Sequence, residues 1–119
     1  MSRSILHLAE RSRWAAAHVS GAYAPDAFGA EGFVHCCDPA QIEGVANRLY
    51  RGRDDLVLLV IEENRLAAEV RRENLEGGDE PYPHVYGPIE LDAVVAVQEL
   101  LSGPDGRFEL SEGLRGEAP

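Results

Sequence analysis

Residues 4–8, Ser-Ile-Leu-His-Leu, form a short apolar run that predicts a buried strand. Residues 10–19 follow with Trp14, Ala17 and His18 at helical spacing, so a helix is expected there. Gly21, Pro25 and Gly29 mark a loop through Tyr23 and Phe28, and residues 32–36 (Gly-Phe-Val-His-Cys) predict a second strand. The clearest helix comes next. Asp38 suits an N-cap, Pro39 the first helical position, and Gln41 the far end of a capping box. Ile42, Val45, Ala46, Leu49 and Tyr50 then recur on one apolar stripe, which Arg51-Gly52-Arg53-Asp54 closes.

Residues 55–61, Asp-Leu-Val-Leu-Leu-Val-Ile, read as a central strand covered on both faces, because the apolar run hardly alternates. A turn from Glu62 to Arg65 leads to an expected strand at 66–73 that ends on Glu73. Glu76-Gly77-Gly78-Asp79-Glu80-Pro81 reads as a mobile acidic loop, His84-Val85-Tyr86 as extended chain, Gly87-Pro88 as a turn, and 92–100 as another strand. The tail from Gly103 to Pro119 is expected to fray beyond Phe108-Glu109-Leu110. Strands mixed irregularly with two principal helices predict one α+β domain over residues 1–119, with its core at about 4–110, rather than a doubly wound sheet.

Charge narrows the partners. The 119 residues carry a net charge of −10, which disfavours nucleic acid and anionic membranes. Local arginines such as Arg48, Arg51 and Arg53 can offset that field, so an RNA substrate is disfavoured rather than ruled out. All 11 basic residues are arginine, which removes Schiff-base chemistry and a phosphate-loop lysine. Cys36 and Cys37 are adjacent, a spacing unsuited to a structural disulfide between them. The opening run is too short for a signal peptide or a membrane span, so a reducing cytoplasm is the expected setting.

Candidate chemistry gathers on three histidines in apolar, strand-like runs: His7, His35 and His84. The structural alternatives are a satisfied core histidine for His7, and a hydrogen-bonded turn residue for His84 beside a core Tyr86. Pointed at one concave surface, the three histidines would form a site. Two prolines and a glycine fix the stretch Pro-Tyr-Pro-His-Val-Tyr-Gly-Pro, so His84 and Tyr86 project to the same face. Glu73 is a candidate carboxylate, with a solvated charge run as the alternative. Cys37 and Gln41 flank a helix start that can attract an anion, although Asp38 can occupy those donors itself. Trp14 can stack on an aromatic ligand or simply fill the core. Three histidines also raise the zinc question, but no short ligand spacing supports a metal.

The ordered elements Ile5-Leu6-His7, Trp14, Gly21-x-Tyr23, Glu31-Gly32-Phe33-Val34-His35-Cys36, Gln41, Ala46-Asn47, Asp55-Leu56-Val57-Leu58-Leu59, Glu73 and Pro83-His84-Val85-Tyr86-Gly87-Pro88 resemble a bacterial family, domain of unknown function 952. Cys37 departs from it, since a serine is expected there. The resemblance implies a fold similar to the ADP-ribosyltransferases, including the RNA 2′-phosphotransferases: two small, mainly antiparallel sheets around a cleft that holds NAD. Carried over, His7 would contact a ribose, His35 would pack on nicotinamide, and Glu73, His84 or Tyr86 would supply the third function. An NAD-using or ADP-ribosyl-type transferase is therefore the leading expectation, with NAD as candidate ligand. The alternatives are a non-catalytic module for a nucleotide or small metabolite, and a His-ligated metal enzyme.

Overall fold

The computed structural model describes residues 3–25, 28–74, 80–100 and 102–108. The order of elements is β1 (Ser4–Glu10), α1 (Arg11–Ser20), β2 (Ala22–Tyr23), α2 (Phe28–Glu31), β3 (Val34–His35), α3 (Ile42–Leu49), β4 (Leu56–Glu62), β5 (Val70–Glu73), β6 (Tyr82–Val85), β7 (Ile89–Glu90) and β8 (Val94–Glu99). Short 3-10 turns cover Pro39–Gln41, Glu63–Arg65 and Leu91–Ala93. The strands form three small antiparallel sheets, ordered β1-β4-β8, β2-β7 and β3-β6-β5. The α+β character follows, with α1 and α3 as the principal helices.

β4 is the middle strand that its apolar run predicts. Val57, Leu59 and Ile61 face one core with Ile5, Tyr23, Val34, Val85 and Ile89. Leu56 and Leu58 face a second core with Leu6, Ile42, Val45, Ala46 and Phe108. Because side chains alternate along a strand, only a strand covered on both sides accepts such a sequence. Each of these buried side chains contributes roughly 1.5–3 kcal/mol. The first sheet is thus a wall between α3 on one face and the rest of the fold on the other.

Several expected elements are shorter than the sequence suggests, each for a physical reason. The strand expected at 32–36 narrows to Val34–His35 because the chain changes partner. The Cys36 N–H still bonds to the Pro83 carbonyl of β6, but Cys37 exchanges two 2.7 Å hydrogen bonds with Leu6 of β1. This crossing joins the third sheet to the first. The strand expected at 66–73 begins only at Val70, since the Ala67 N–H turns to the Glu90 carboxylate. The run 92–100 opens as a 3-10 turn, and β8 is an edge strand whose Val95 and Val97 stay about half exposed.

The expected loop at 21–29 contains β2 and the start of α2. Gly21 ends α1 at φ 96°, a conformation that suits glycine, and returns its N–H to the Ala17 carbonyl. The Asp38 start begins with a 3-10 turn, where Gln41 accepts the Asp38 N–H at 2.9 Å. Residues 75–79 of the acidic loop and residues 109–119 of the tail lie outside the described residues. Phe108 is buried, its backbone clamped by both ends of the Asn47 amide.

Candidate functional site

The third sheet has one apolar face and one polar face. Val34, Val85 and Val70 lie in register and turn toward the first core. One residue along, His35, His84 and Arg71 also lie in register, and Tyr82 pairs with Glu73. Strand alternation therefore places His35, His84, Arg71, Tyr82 and Glu73 together on the opposite face. Phe33 lies on this group, stacked on the His84 ring at 4.2 Å and edge-on to His35 at 4.8 Å. The His35 and His84 rings are 5.1 Å apart.

Glu73 is held in place by its neighbours. Its Oε1 accepts from His84 Nδ1 at 3.0 Å and from the Tyr86 hydroxyl at 2.5 Å. The first of these bonds requires the proton on Nδ1, because an ionised carboxylate only accepts. The Tyr86 and His84 hydrogen bonds hold the Glu73 carboxyl below its ordinary range, while the same carboxylate pushes the Tyr86 hydroxyl up. Arg71 lies 4.8 Å over the Tyr86 ring and pairs with Glu69. The result is an ionised carboxylate of fixed orientation whose second oxygen no described residue occupies.

His7 is arranged differently. From β1 its Nδ1 donates to the His35 carbonyl at 2.6 Å, which fixes the proton there, and its Nε2 lies 2.8 Å from the Tyr23 hydroxyl. That nitrogen is then the acceptor and Tyr23 the donor. Burial, only partly offset by the His35 carbonyl, lowers the His7 pKa to about 4. The unfolded histidine titrates near 6.5, so between these values the unfolded chain takes up a proton that the folded chain does not. The contribution of His7 to stability is therefore complete above about pH 6.5 and is lost as pH falls toward 4, by about 3 kcal/mol in all. Urea unfolding from pH 7 to pH 4 should show this as a fall in midpoint that is smaller in His7→Gln.

Beside His7 and His35 lies a cavity of about 330 Å³. One wall is β1, through Leu6, His7 and Leu8, and the next is the Glu31, His35, Cys36 and Cys37 segment. The α3 side contributes Val45, Arg48, Leu49 and Tyr50, and β6 contributes Tyr82. Glu31 reaches the His35 Nε2 at 3.1 Å. His35 thus faces the cavity and also touches His84. Neither Cys36 nor Cys37 is in a disulfide and both are buried, and burial pushes the Cys36 thiol up, away from nucleophilic use.

A family model described as protein of unknown function, DUF952, matches residues 8–97. The chain belongs to the DUF952 family. It is similar to protein CC0527 from Caulobacter crescentus, whose crystal structure superposes with a TM-score of 0.83 at 29% identity, over 93% of this chain and 97% of that one. The solution structure of CC0527 gives a TM-score of 0.76 at 30% identity, over 87% and 90% of the two chains. No curated protein matches.

In this DUF952 chain His7, His35 and Cys37 line one cavity, while His84, Glu73 and Tyr86 form a separate hydrogen-bonded group outside its lining that meets it only where the His84 ring lies beside His35. Two candidates fall elsewhere. Trp14 on α1 packs against His18 of the same helix and Tyr23 of β2, and Gln41 holds Glu80 and the Pro81 carbonyl. Sequence reasoning missed Glu31, Arg48, Tyr23 and Tyr82 as members of the site. The pairing of Glu31 with His35 was open to detection, since the two stand four apart within Glu-Gly-Phe-Val-His. Arg48 was not, because nothing in the sequence separates it from Arg51 and Arg53. Those two are taken up by the Asp105 carbonyl and by Asp55 with Glu10. Among the described residues no group of three His, Cys, Asp or Glu is placed to hold a metal ion, and no helix is long and apolar enough to cross a membrane.

Proposed function

We propose that the cavity is a nucleotide-type ligand site and that the chain is an NAD-using, ADP-ribosyl-type transferase. One observation carries this reading. Glu73, an ionised carboxylate oriented by two donors, shares a sheet face with His35, which lines the cavity. When the nicotinamide–ribose bond breaks, its electron pair leaves with the ring nitrogen and positive charge develops on the ribose. The acceptor then forms the new bond at that same carbon. A fixed carboxylate stabilises such charge without reorganising at the moment of reaction.

In this reading His35 packs on the leaving ring, with Glu31 steadying its Nε2. His84 and Tyr86 are positioning residues for Glu73. His7 holds the His35 backbone, so it shapes the cavity rather than exchanging protons near neutral pH. The two cysteines, neither in a disulfide, suit a reducing compartment. A second reading, binding without turnover, is favoured by one observation: Glu73 and His84 are not among the cavity-lining residues.

The test is a ligand-observed NMR screen of NAD, ADP-ribose, nicotinamide and ATP on the wild type and on His35→Ala, followed by assay of nicotinamide release. NAD should bind and be consumed, and His35→Ala should lose at least about tenfold in affinity. Binding without nicotinamide release would establish the second reading. Silence across the panel would overturn both.

A further inference from the structure

Arg48 carries an inference that rests on the cavity being a ligand site. In a chain with 21 acidic and 11 basic residues, an arginine near a carboxylate is the ordinary case. Arg11 pairs with Glu99, Arg53 with Asp55 and Glu10, Arg65 with Glu62, Arg71 with Glu69, and Arg72 with Asp38 and Glu63. Arg48 lines the cavity instead, and no described residue accepts a hydrogen bond from its guanidinium. Its place in the last turn of α3 suits the negative end of the helix dipole, but that accounts for the turn and not for the side of the helix it occupies. A planar guanidinium at a cavity wall that no described residue engages has the donor geometry that suits a phosphate.

The rest of the cavity limits what such an anion can belong to. About 330 Å³ is at the low end of ligand sites and holds about one ring system with its substituents. Leu6, Leu8 and Val45 are apolar, and Tyr50 and Tyr82 offer aromatic surface, a lining suited to a flat ring. Glu31, within the same lining, together with the net charge of −10, disfavours a second phosphate. We propose that the cavity takes one mononucleotide moiety, consisting of an aromatic ring, a ribose and a single phosphate, with the phosphate seated on Arg48. That moiety is either a free mononucleotide or one end of a dinucleotide whose remainder stays outside.

Calorimetric titration of the full chain at low salt separates these cases. The ligands are AMP and adenosine, nicotinamide mononucleotide and nicotinamide riboside, and NAD, each against the wild type, Arg48→Gln and His35→Ala. At least one mononucleotide should bind about tenfold or more tighter than its own nucleoside. Arg48→Gln should abolish that advantage while leaving the nucleoside affinity within about twofold, because only the phosphate contact is removed. NAD binding tighter than the mononucleotide, with the same dependence on Arg48, identifies a dinucleotide end. The reverse order identifies the free mononucleotide.

A phosphate advantage that survives Arg48→Gln, or its absence from the wild type, overturns the inference. If nucleosides still bind the wild type and fail on His35→Ala, the ligand-site reading stands without it. If none of the five ligands binds the wild type, both fall. Circular dichroism and the urea midpoint of Arg48→Gln should match the wild type, since the side chain is exposed.

Discussion

His7→Ala is expected to lower the stability of the fold by roughly 3 kcal/mol, read as a shift in urea midpoint at unchanged slope. The substitution removes the donor to the His35 carbonyl and the acceptor for the Tyr23 hydroxyl, and it opens a hole where a buried ring stood. Leaving a buried polar partner unsatisfied costs about 1–3 kcal/mol, and the cavity adds to it. Tyr23→Phe, which removes only one of the two bonds, should cost roughly 1 kcal/mol. The sequence leaves His7 open between a ligand contact and a core histidine, because it shows a histidine in a strand but not the two groups its nitrogens meet. The variant should also lose the part of the acid sensitivity between pH 6.5 and pH 4 that His7 provides. An unfolding free energy within about 0.5 kcal/mol of the wild type would show that the β1–β3 link is not held by this ring.

What the sequence made legible and what it hid follow from the range of the interactions. β4 and α3 were legible because each is decided locally: an unbroken apolar run, and a stripe behind Asp38 and Pro39. The meeting of His35 with His84 was partly legible, since both lie on strands rich in apolar residues, but their register across β3 and β6 was not. β3 and β5 were over-read because pairing stops where the partner changes, at Cys37 for one and at Ala67 for the other. Tyr23 read as a loop residue, yet a two-residue pairing of β2 with β7 turns it into the buried partner of His7. Trp14 shows the converse: a plausible ligand contact by type, it sits against His18 and Tyr23 once the helix is in place. The three histidines converge, but not as equivalents. His7 lines the cavity but is buried with both nitrogens committed internally, His84 is locked to Glu73, and His35 lines the cavity with its side chain partly exposed.

Glu73→Gln should produce the largest functional effect, because it removes the one negative charge that the third sheet holds in a fixed direction. A glutamine carbonyl can still accept from His84 Nδ1 and the Tyr86 hydroxyl, so the fold should stay within about 1 kcal/mol of the wild type. Nicotinamide release from NAD should nevertheless fall by about 10²- to 10³-fold, with kcat changing far more than KM, as expected when charge stabilisation in the transition state is lost. Tyr86→Phe and His84→Leu remove one donor each and should lower the rate by smaller factors. Because both hydrogen bonds hold the Glu73 carboxyl down, the group stays ionised at pH values where an ordinary glutamate, near 4.3, begins to protonate. The acid limb of the wild-type rate profile should therefore lie below that value, and Tyr86→Phe should move it up. If Glu73→Gln keeps its turnover within about threefold, the carboxylate belongs to the architecture of the sheet, and Glu31, which reaches His35 Nε2 at 3.1 Å in the cavity wall, becomes the next carboxylate to test.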